Sequence, residues 1–477
     1  MKNYKMYING EWVDAISGKT ITTHNPSTGE DFATVPAADA EDVEKAVKAA
    51  REAFKIWGFM PQEERTKIMV KMAEAIREHA DEFVELEMME HGTPRQDAFG
   101  VTMGAADKFE WCAHAAKRVM GQQIPVEEGV LSFLKREPAG VVGFITPWNL
   151  PTIMIAVKIS AALAVGNTVI LKPPSVNSAI GIHFIEVISQ VEGLPKGAIN
   201  IITGSGGSAG TPICEHPGVN IIGFTGSSET GKNILVSAST TVKKSVMELG
   251  GNNPVLIMDD ANLDEAIKVL AYRQFNNSGQ HCSGPGRYYV HEKVYDDFVS
   301  KMVNAAQSVV MGDPNKGDVD MGPVASAEHQ ARVIEYVKGA VDEGAKVLVG
   351  GEAVTPGYFV KPTVVVDCTH EMKIAKEEVF GPVATIIKYT DTDNLIAMAN
   401  DSPFGLCAHV WTEDLGRGMK TIDKLHAGAV FINTQMLAEE QPWGTSVKES
   451  GIGKEGGIFG MLEFTDQKLV CIKYEYN

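Results

Sequence analysis

The sequence predicts an α/β fold built from a doubly wound parallel sheet, a second α/β domain and a small β element. Three observations carry that expectation. From residue 140, short apolar runs alternate with helical stretches, the pattern of βαβ units. A second region of the same texture starts near 263. Two mixed-charge, β-like segments, QQIPVEEGVLSFLKREP and FTDQKLVCIKYEYN, fit neither region.

Taken in order, the N-terminal part is a short β-like lead followed by helices. In DAEDVEKAVKAAREAFKIW, residues Val43, Ala46, Val47, Ala50, Phe54 and Trp57 recur at helical spacing. A second amphipathic run is expected from Glu63 to His91, closed by Gly92 and Pro94. GVVGFIT, NTVILK, AINIIT, VNIIGFT, VMEL and PVLIM then read as strands, most ending in Gly, Pro, Ser or Thr. Helices are expected around Leu263–Asn277 and Val294–Val310, and further strands at AKVLVGG, PTVVV, ATIIKY, CAHVW and GAVFIN. The two orphan β segments read as exposed hairpin or edge strands, which need cover from another chain. The expected boundaries are 1–119 with 139–249, then 250–462, and a β element of 120–138 with 463–477.

Composition narrows the function. A length of 477 residues with 44% apolar and 22% charged residues is that of an ordinary globular chain with large cores. The net charge of −18 argues against nucleic acid or an anionic membrane as partner. The N-terminus lacks the apolar run of a secretory signal. The longest apolar window, TIMIAVKISAALAVGNTVIL, is broken by Lys158, Ser160 and Asn167, and reads as a buried helix followed by a strand, not a membrane span. Six cysteines without CxxC pairing or nearby histidines match neither a disulfide framework nor a metal site. A reducing cytoplasm and no metal are the expectation.

In parallel sheets, ligands bind beyond the carboxyl ends of the strands, so those ends hold the candidate chemistry. INIITGSGGSAG puts Gly204, Gly206 and Ala209 at GxGxxA spacing, and FTGSSETG opens a helix with Ser227 and Gly231. Either turn suits a phosphate at a helix N-terminus, and a plain tight turn is an equal reading of the first. Asn149 follows one strand, where an amide can donate to an oxyanion or stabilise a turn. Glu248 ends another, as a general base or an ion-pair partner. In QFNNSGQHCSGPGRYY, Cys282 sits among glycines that leave room for a reactant, which suits a nucleophile better than a core thiol.

Together these residues resemble the aldehyde dehydrogenase superfamily over essentially the whole chain. The family's motifs appear in order as PWN at 147–149, LKP at 171–173, FTGSxxxG at 224–231 and ELGG at 248–251. GQxC at 279–282, EEVFGP at 377–382 and SGIGKEGG at 450–457 complete the set. The resemblance implies a Rossmann-type cofactor domain, a catalytic domain and a β oligomerisation element, assembled as a homodimer or homotetramer. It makes Cys282 the nucleophile toward an aldehyde and gives the oxyanion to the Asn149 side chain and the Cys282 N–H. Glu248 would activate the hydrolytic water, with Lys158 and Glu455 relaying its protons.

For NAD or NADP the resemblance implies contacts from Ile145, Thr146, Trp148 and Lys172, with position 175 near the adenosine ribose. Gly206, Gly210, Phe224, Gly226, Ser227 and Gly231 would line the adenine and pyrophosphate. Leu249, Glu378 and Phe380 would lie toward the nicotinamide side. Many NAD-preferring members carry a carboxylate where this chain has Ser175, so NADP acceptance is expected. The substrate pocket maps to Leu150, Met154, Val157, His281, Ser283 and the segment 434–443. Leu150 and Val157 replace common aromatics, and Thr445 replaces the usual second glycine of the 442–447 stretch. Glu439 and Glu440 suit either a cationic aldehyde or a solvated loop. Three rivals remain open: a CoA-acylating semialdehyde dehydrogenase, a non-redox thiol esterase on the same fold, and a non-catalytic binding or structural protein on that scaffold, against which the presence of every chemical position argues. Members of the first kind typically lack the glutamate present here as Glu248.

Overall fold

Apolar side chains on both faces of each strand force the central sheets to be covered on both sides. In Val141–Ile145, Val142 and Phe144 enter one core, while Val141 and Ile145 enter another. Thr168–Lys172 alternates likewise, with Val169 and Leu171 on one side and Ile170 on the other. The computed structural model of the chain describes residues 1–435, 438–444 and 446–474. Thr445, Met436, Leu437 and the last residues of the expected β element, 475–477, lie outside them.

The first sheet has eight strands. Its parallel part runs Lys244–Glu248, Ile221–Thr225, Val141–Ile145, Thr168–Lys172, Ile199–Ile201. The chain starts in the middle strand, winds outward one way and then returns to wind the other way, so the switch point lies between Val141–Ile145 and Ile221–Thr225. Met6–Ile8, Glu11–Val13 and Gly451–Ile452 extend its edges antiparallel.

The second sheet has seven strands. Thr363–Cys368, Val383–Tyr389, Pro285–His291, Asn253–Ile257, Cys407–Trp411 and Ala429–Ile432 are parallel, with Lys346–Val349 antiparallel at one edge. Its alternation is the same: Val255 and Ile257 face one core, Leu256 and Met258 the other. The two orphan segments pair with each other. Thr465–Lys473 runs antiparallel to Val130–Pro138, which also pairs with Gln122–Ile124.

The broken apolar window is a helix, Pro151–Ala164, followed by the strand Thr168–Lys172, as its sequence predicts. Among the described residues no helix is long and apolar enough to cross a membrane. Some expectations change. The expected run from Glu63 to His91 is three pieces, Gln62–Glu78, Ala80–Leu86 and a π-helical turn, Glu87–His91. The buried Glu87 and Glu90 of that turn bond to the start of two other helices. The helix expected to reach Asn277 stops at Phe275, because Asn277 and Ser278 take left-handed backbone angles. The helix Tyr295–Ser308 is slightly shorter than expected at both ends.

Candidate active site

Cys282 lies just before Pro285–His291, a strand in the middle of the second sheet. Three consecutive residues with positive φ, Asn277 (50°), Ser278 (54°) and Gly279 (70°), turn the chain sharply ahead of it. At Gly279 a Cβ would meet the Gly381 carbonyl oxygen at 2.2 Å, so only glycine fits. The strain at Asn277 and Ser278 is offset by side-chain bonds. Asn277 Nδ2 donates to the Asn149 carbonyl at 2.7 Å, and Ser278 Oγ donates to Gly322 O at 2.7 Å. Asn253 grips the other side, with Nδ2 donating at 2.7 Å to both Cys282 O and Gly284 O and Oδ1 accepting from Cys407 N at 3.1 Å. Cys282 itself stays half-buried. Burial raises its thiol pKa well above the usual range, and the Glu248 and Glu378 carboxylates raise it further.

Asn149 is buried just past the strand Val141–Ile145. One hydrogen of its amide goes to the Gln280 carbonyl at 2.8 Å, which ties the first sheet's strand end to the nucleophile loop. The second amide hydrogen remains for a ligand. Glu248 closes its strand with a buried carboxyl. Oε2 accepts from Ser446 Oγ at 3.0 Å, while Oε1 has no hydrogen bond among the described residues. Burial and then repulsion from Glu455 hold this carboxyl well above the ordinary range. Glu455 is ion-paired with Lys158, and both side chains are buried.

At the switch point two buried hydroxyls, Thr146 Oγ1 and Thr225 Oγ1, have no hydrogen bond. They flank the carboxyl ends of the two strands where a dinucleotide would lie. A Cβ on Gly210 would rest 3.6 Å from Ile145 Cδ1 and 3.7 Å from Lys172 Cδ, filling a hollow that the glycine leaves open. Around Gly206 there is open space. Ser227 caps the helix Ser228–Ala238 by accepting from Thr230 N. Phe224 is buried in the adjacent strand, Gly226 N donates to Glu248 O at 3.1 Å, and Gly231 packs against Leu249. Lys172 is buried, donates to Pro173 O at 2.9 Å, and burial lowers its pKa to about 8. Ser175 Oγ donates to Gly204 O at 3.0 Å.

Across the cleft, Glu378 accepts from Gly251 N at 3.0 Å, and burial raises its pKa to about 7. Phe380, at φ 59°, packs edge-on against Trp148 at 5.5 Å. His329, which carries no motif in the sequence, stands 5.1 Å from Trp148 and bonds the Phe380 carbonyl. The residues expected to bind a dinucleotide therefore converge from both sheets, and the orphan hydroxyls and the Gly210 hollow fit such a ligand.

The expected substrate positions divide. Met154 and Val157 are buried on the helix Pro151–Ala164, and Leu150 is half-buried just before it. His281 bonds Asn276, and the Ser283 carbonyl accepts from Gln435 Nε2 at 2.7 Å. Glu439 is ion-paired with Lys108 at 2.5 Å, while the exposed Glu440 accepts only from the neutral Trp111 Nε1 at 3.4 Å and keeps its charge. Asn253 and His329 lie outside every motif of the sequence, and Thr225, though inside FTGSxxxG, carries no expected role there.

Comparison with known proteins agrees with this geometry. The model of the aldehyde dehydrogenase family matches residues 12–470. An aldehyde dehydrogenase of Enchytraeus buchholzi is 38% identical over 98% of this chain and 95% of its own length. The chain spans about half the length of the cytosolic 10-formyltetrahydrofolate dehydrogenase of Xenopus tropicalis, which it also matches at 38% identity. Two solved structures share the fold with a TM-score of 0.96: the NAD+ complex of an aldehyde dehydrogenase from Bacillus cereus (39% identity, 99% and 97% of the two chains) and an NADP-dependent enzyme of E. coli (36%, 99% and 98%). With the family's motifs, fold and cofactor cleft all present, this chain belongs to the aldehyde dehydrogenase family and is an NAD(P)-dependent aldehyde oxidoreductase.

Proposed function

We propose that the protein converts an aldehyde to a carboxylic acid through a covalent adduct on Cys282, released by water that Glu248 activates. The observation that carries this reading is the buried Glu248 carboxyl with an unpartnered Oε1 among the described residues, at the strand end that leads into Gly251, where a Cβ would lie 2.8 Å from Cys282 O. Glu248 takes the Cys282 thiol proton and passes it onward, the sulfur adds to the carbonyl carbon, and the tetrahedral oxyanion that forms is one that the free Asn149 N–H and the Cys282 backbone N–H are suited to hold. When bound, the nicotinamide supplies the acceptor for the hydride that leaves this adduct, and a thioester remains on sulfur. Glu248 then takes a proton from water, the water oxygen attacks the thioester, and the thiolate departs. Its raised pKa makes it a better base once ionised. In this reading Glu455, ion-paired with Lys158, would pass that proton onward.

Ile145, Thr146, Lys172, Gly210 and Ser227 would hold the adenosine and pyrophosphate, with Glu378, Phe380 and Trp148 toward the nicotinamide. NADP is accepted in this reading, because position 175 carries a neutral hydroxyl that does not repel a 2′-phosphate, with buried Lys172 beside it. The domain division expected from sequence is supported by the two separate sheets and by the pairing of Thr465–Lys473 with Val130–Pro138. Six free cysteines support a reducing compartment such as the cytoplasm.

Pre-steady-state absorbance at 340 nm tests the mechanism. Cys282→Ala is expected to give neither burst nor turnover. Glu248→Gln is expected to keep a single-turnover burst while steady-state turnover falls by about 10² or more. A Glu248→Gln enzyme that turns over at the native rate would sink the assignment.

A further inference from the structure

Beside the nucleophile, a chain of hydrogen bonds leads from His281 toward the protein surface. Asp97 accepts from Tyr272 Oη at 3.2 Å through one oxygen and from Asn276 Nδ2 at 2.7 Å through the other. A carboxylate only accepts, so Asn276 must turn its amide nitrogen to Asp97 and its oxygen away. That oxygen lies 3.0 Å from His281 Nε2. Being an acceptor too, it requires the proton to sit on Nε2. The lone pair of His281 is thereby assigned to Nδ1. Among the described residues Nδ1 has no hydrogen-bond partner, and it is not among the fully buried orphan atoms, so it keeps some exposure on the residue that precedes Cys282. The charged and titratable neighbours that act on the ring are Arg273 and His91, both of which disfavour a second proton, as does burial.

We propose that Asp97 and Asn276 are positioning residues that fix His281 as a hydrogen-bond acceptor, so that the site prefers aldehydes carrying a hydroxyl or N–H near the carbonyl over apolar aldehydes of equal size. The inference rests on the aldehyde-oxidising reading and adds a substrate class to it. A site built to bond a donor discriminates against the isostere that lacks it, since the lone pair would otherwise be buried without a partner.

The test compares kcat/KM for 2-hydroxypropanal and 2-methylpropanal, which exchange a hydroxyl for a methyl, with concentrations corrected for hydration. The native enzyme is expected to favour the hydroxyaldehyde by about tenfold, from one added hydrogen bond. That ratio is expected to be flat from pH 6 to 9, because His281 takes its second proton only near pH 3. Asp97→Asn lets Asn276 turn either way and should bring the ratio toward one. Asn276→Asp places a carboxylate against Nε2, which favours the doubly protonated ring. Its ratio should fall as pH drops, a pH dependence that a merely structural defect would not create. A native ratio near one, or a tenfold ratio that survives in both variants, overturns the inference and leaves aldehyde oxidation standing. Failure of the native enzyme to oxidise either aldehyde with NAD or NADP would instead overturn the reading on which it rests. Should either variant fail to fold, the native ratio and its pH profile still decide.

Discussion

Asn253, two residues past ELGG, holds the nucleophile loop from outside any motif. Its amide bonds two carbonyls of the Cys282 loop, and its oxygen holds the start of Cys407–Trp411. Removing it leaves buried groups unpaired at roughly 1 kcal/mol or more each, so Asn253→Ala is expected to cost about 2–3 kcal/mol of stability. Urea denaturation measures that cost, and kcat should fall as Cys282 drifts. Ser175 answers a different question at the same scale. Ser175→Glu sets a carboxylate where a 2′-phosphate would approach, and kcat/KM should shift toward NAD by about tenfold or more. An unchanged NAD-to-NADP ratio would remove position 175 from cofactor choice. The legibility of the site follows chain distance. Cys282, Glu248 and Asn149 stand out because each ends a strand or turn beside small residues, a local pattern. The partners of His281 do not, because Asp97 and Asn276 are 179 positions apart and neither belongs to any periodic pattern. Thr225 was hidden for another reason: a threonine at a strand end looks ordinary until its hydroxyl is found without a partner.

Among the elements, periodicity located most strands of the two parallel sheets and missed the helix breaks. Residues 62–91 keep one amphipathic pattern, yet the helix ends at Glu78 and the last turn widens to a π-helix. The cause lies elsewhere in the chain. Glu87 accepts from the backbone and hydroxyl of Thr152, and Glu90 accepts from Ala179 N at 3.1 Å and Ile180 N at 2.9 Å. One π-turn thus serves the otherwise unpaired N–H groups of two helices, Pro151–Ala164 and Ser178–Ser189. The first of these carries the buried Met154, Val157 and Lys158. Pro285–His291 was missed because its aromatic run directly follows a glycine-rich loop that dominates the reading. The price of the Glu90 cap is a buried carboxyl whose pKa burial raises to about 7. The folded state then binds the proton more tightly than the unfolded chain. Stability should therefore fall as pH rises from near 4.5 to about 7, by about 3 kcal/mol from this group. Urea midpoints at pH 5 and pH 8 test the slope, which Glu90→Gln should reduce.

At the scale of the molecule, two doubly covered sheets meet where strand ends from both supply the chemistry. The cleft is joined by the bonds between Asn149, Asn277 and Gln280 and by the contact of Trp148 with Phe380. That division was readable because buried parallel strands write continuous apolar runs, whereas the relative placement of the sheets rests on side-chain bonds that no periodicity encodes. The third sheet has a different logic. Thr465–Lys473 forms its edge and leaves Leu469 59% and Ile472 45% exposed, with Leu131 of the neighbouring strand 37% exposed. A nine-residue edge strand with apolar side chains is a template for pairing unless another surface covers it. A second copy of the chain is the partner that the proposed homo-oligomer supplies, through a self-complementary contact. Light scattering coupled to size exclusion should then give the native protein a mass that is a multiple of the chain's. Leu469→Glu combined with Ile472→Glu should shift it toward the single-chain mass, because like charges cannot be buried at such an interface without partners. A native protein that elutes at the mass of one chain would leave the apolar edge without this role.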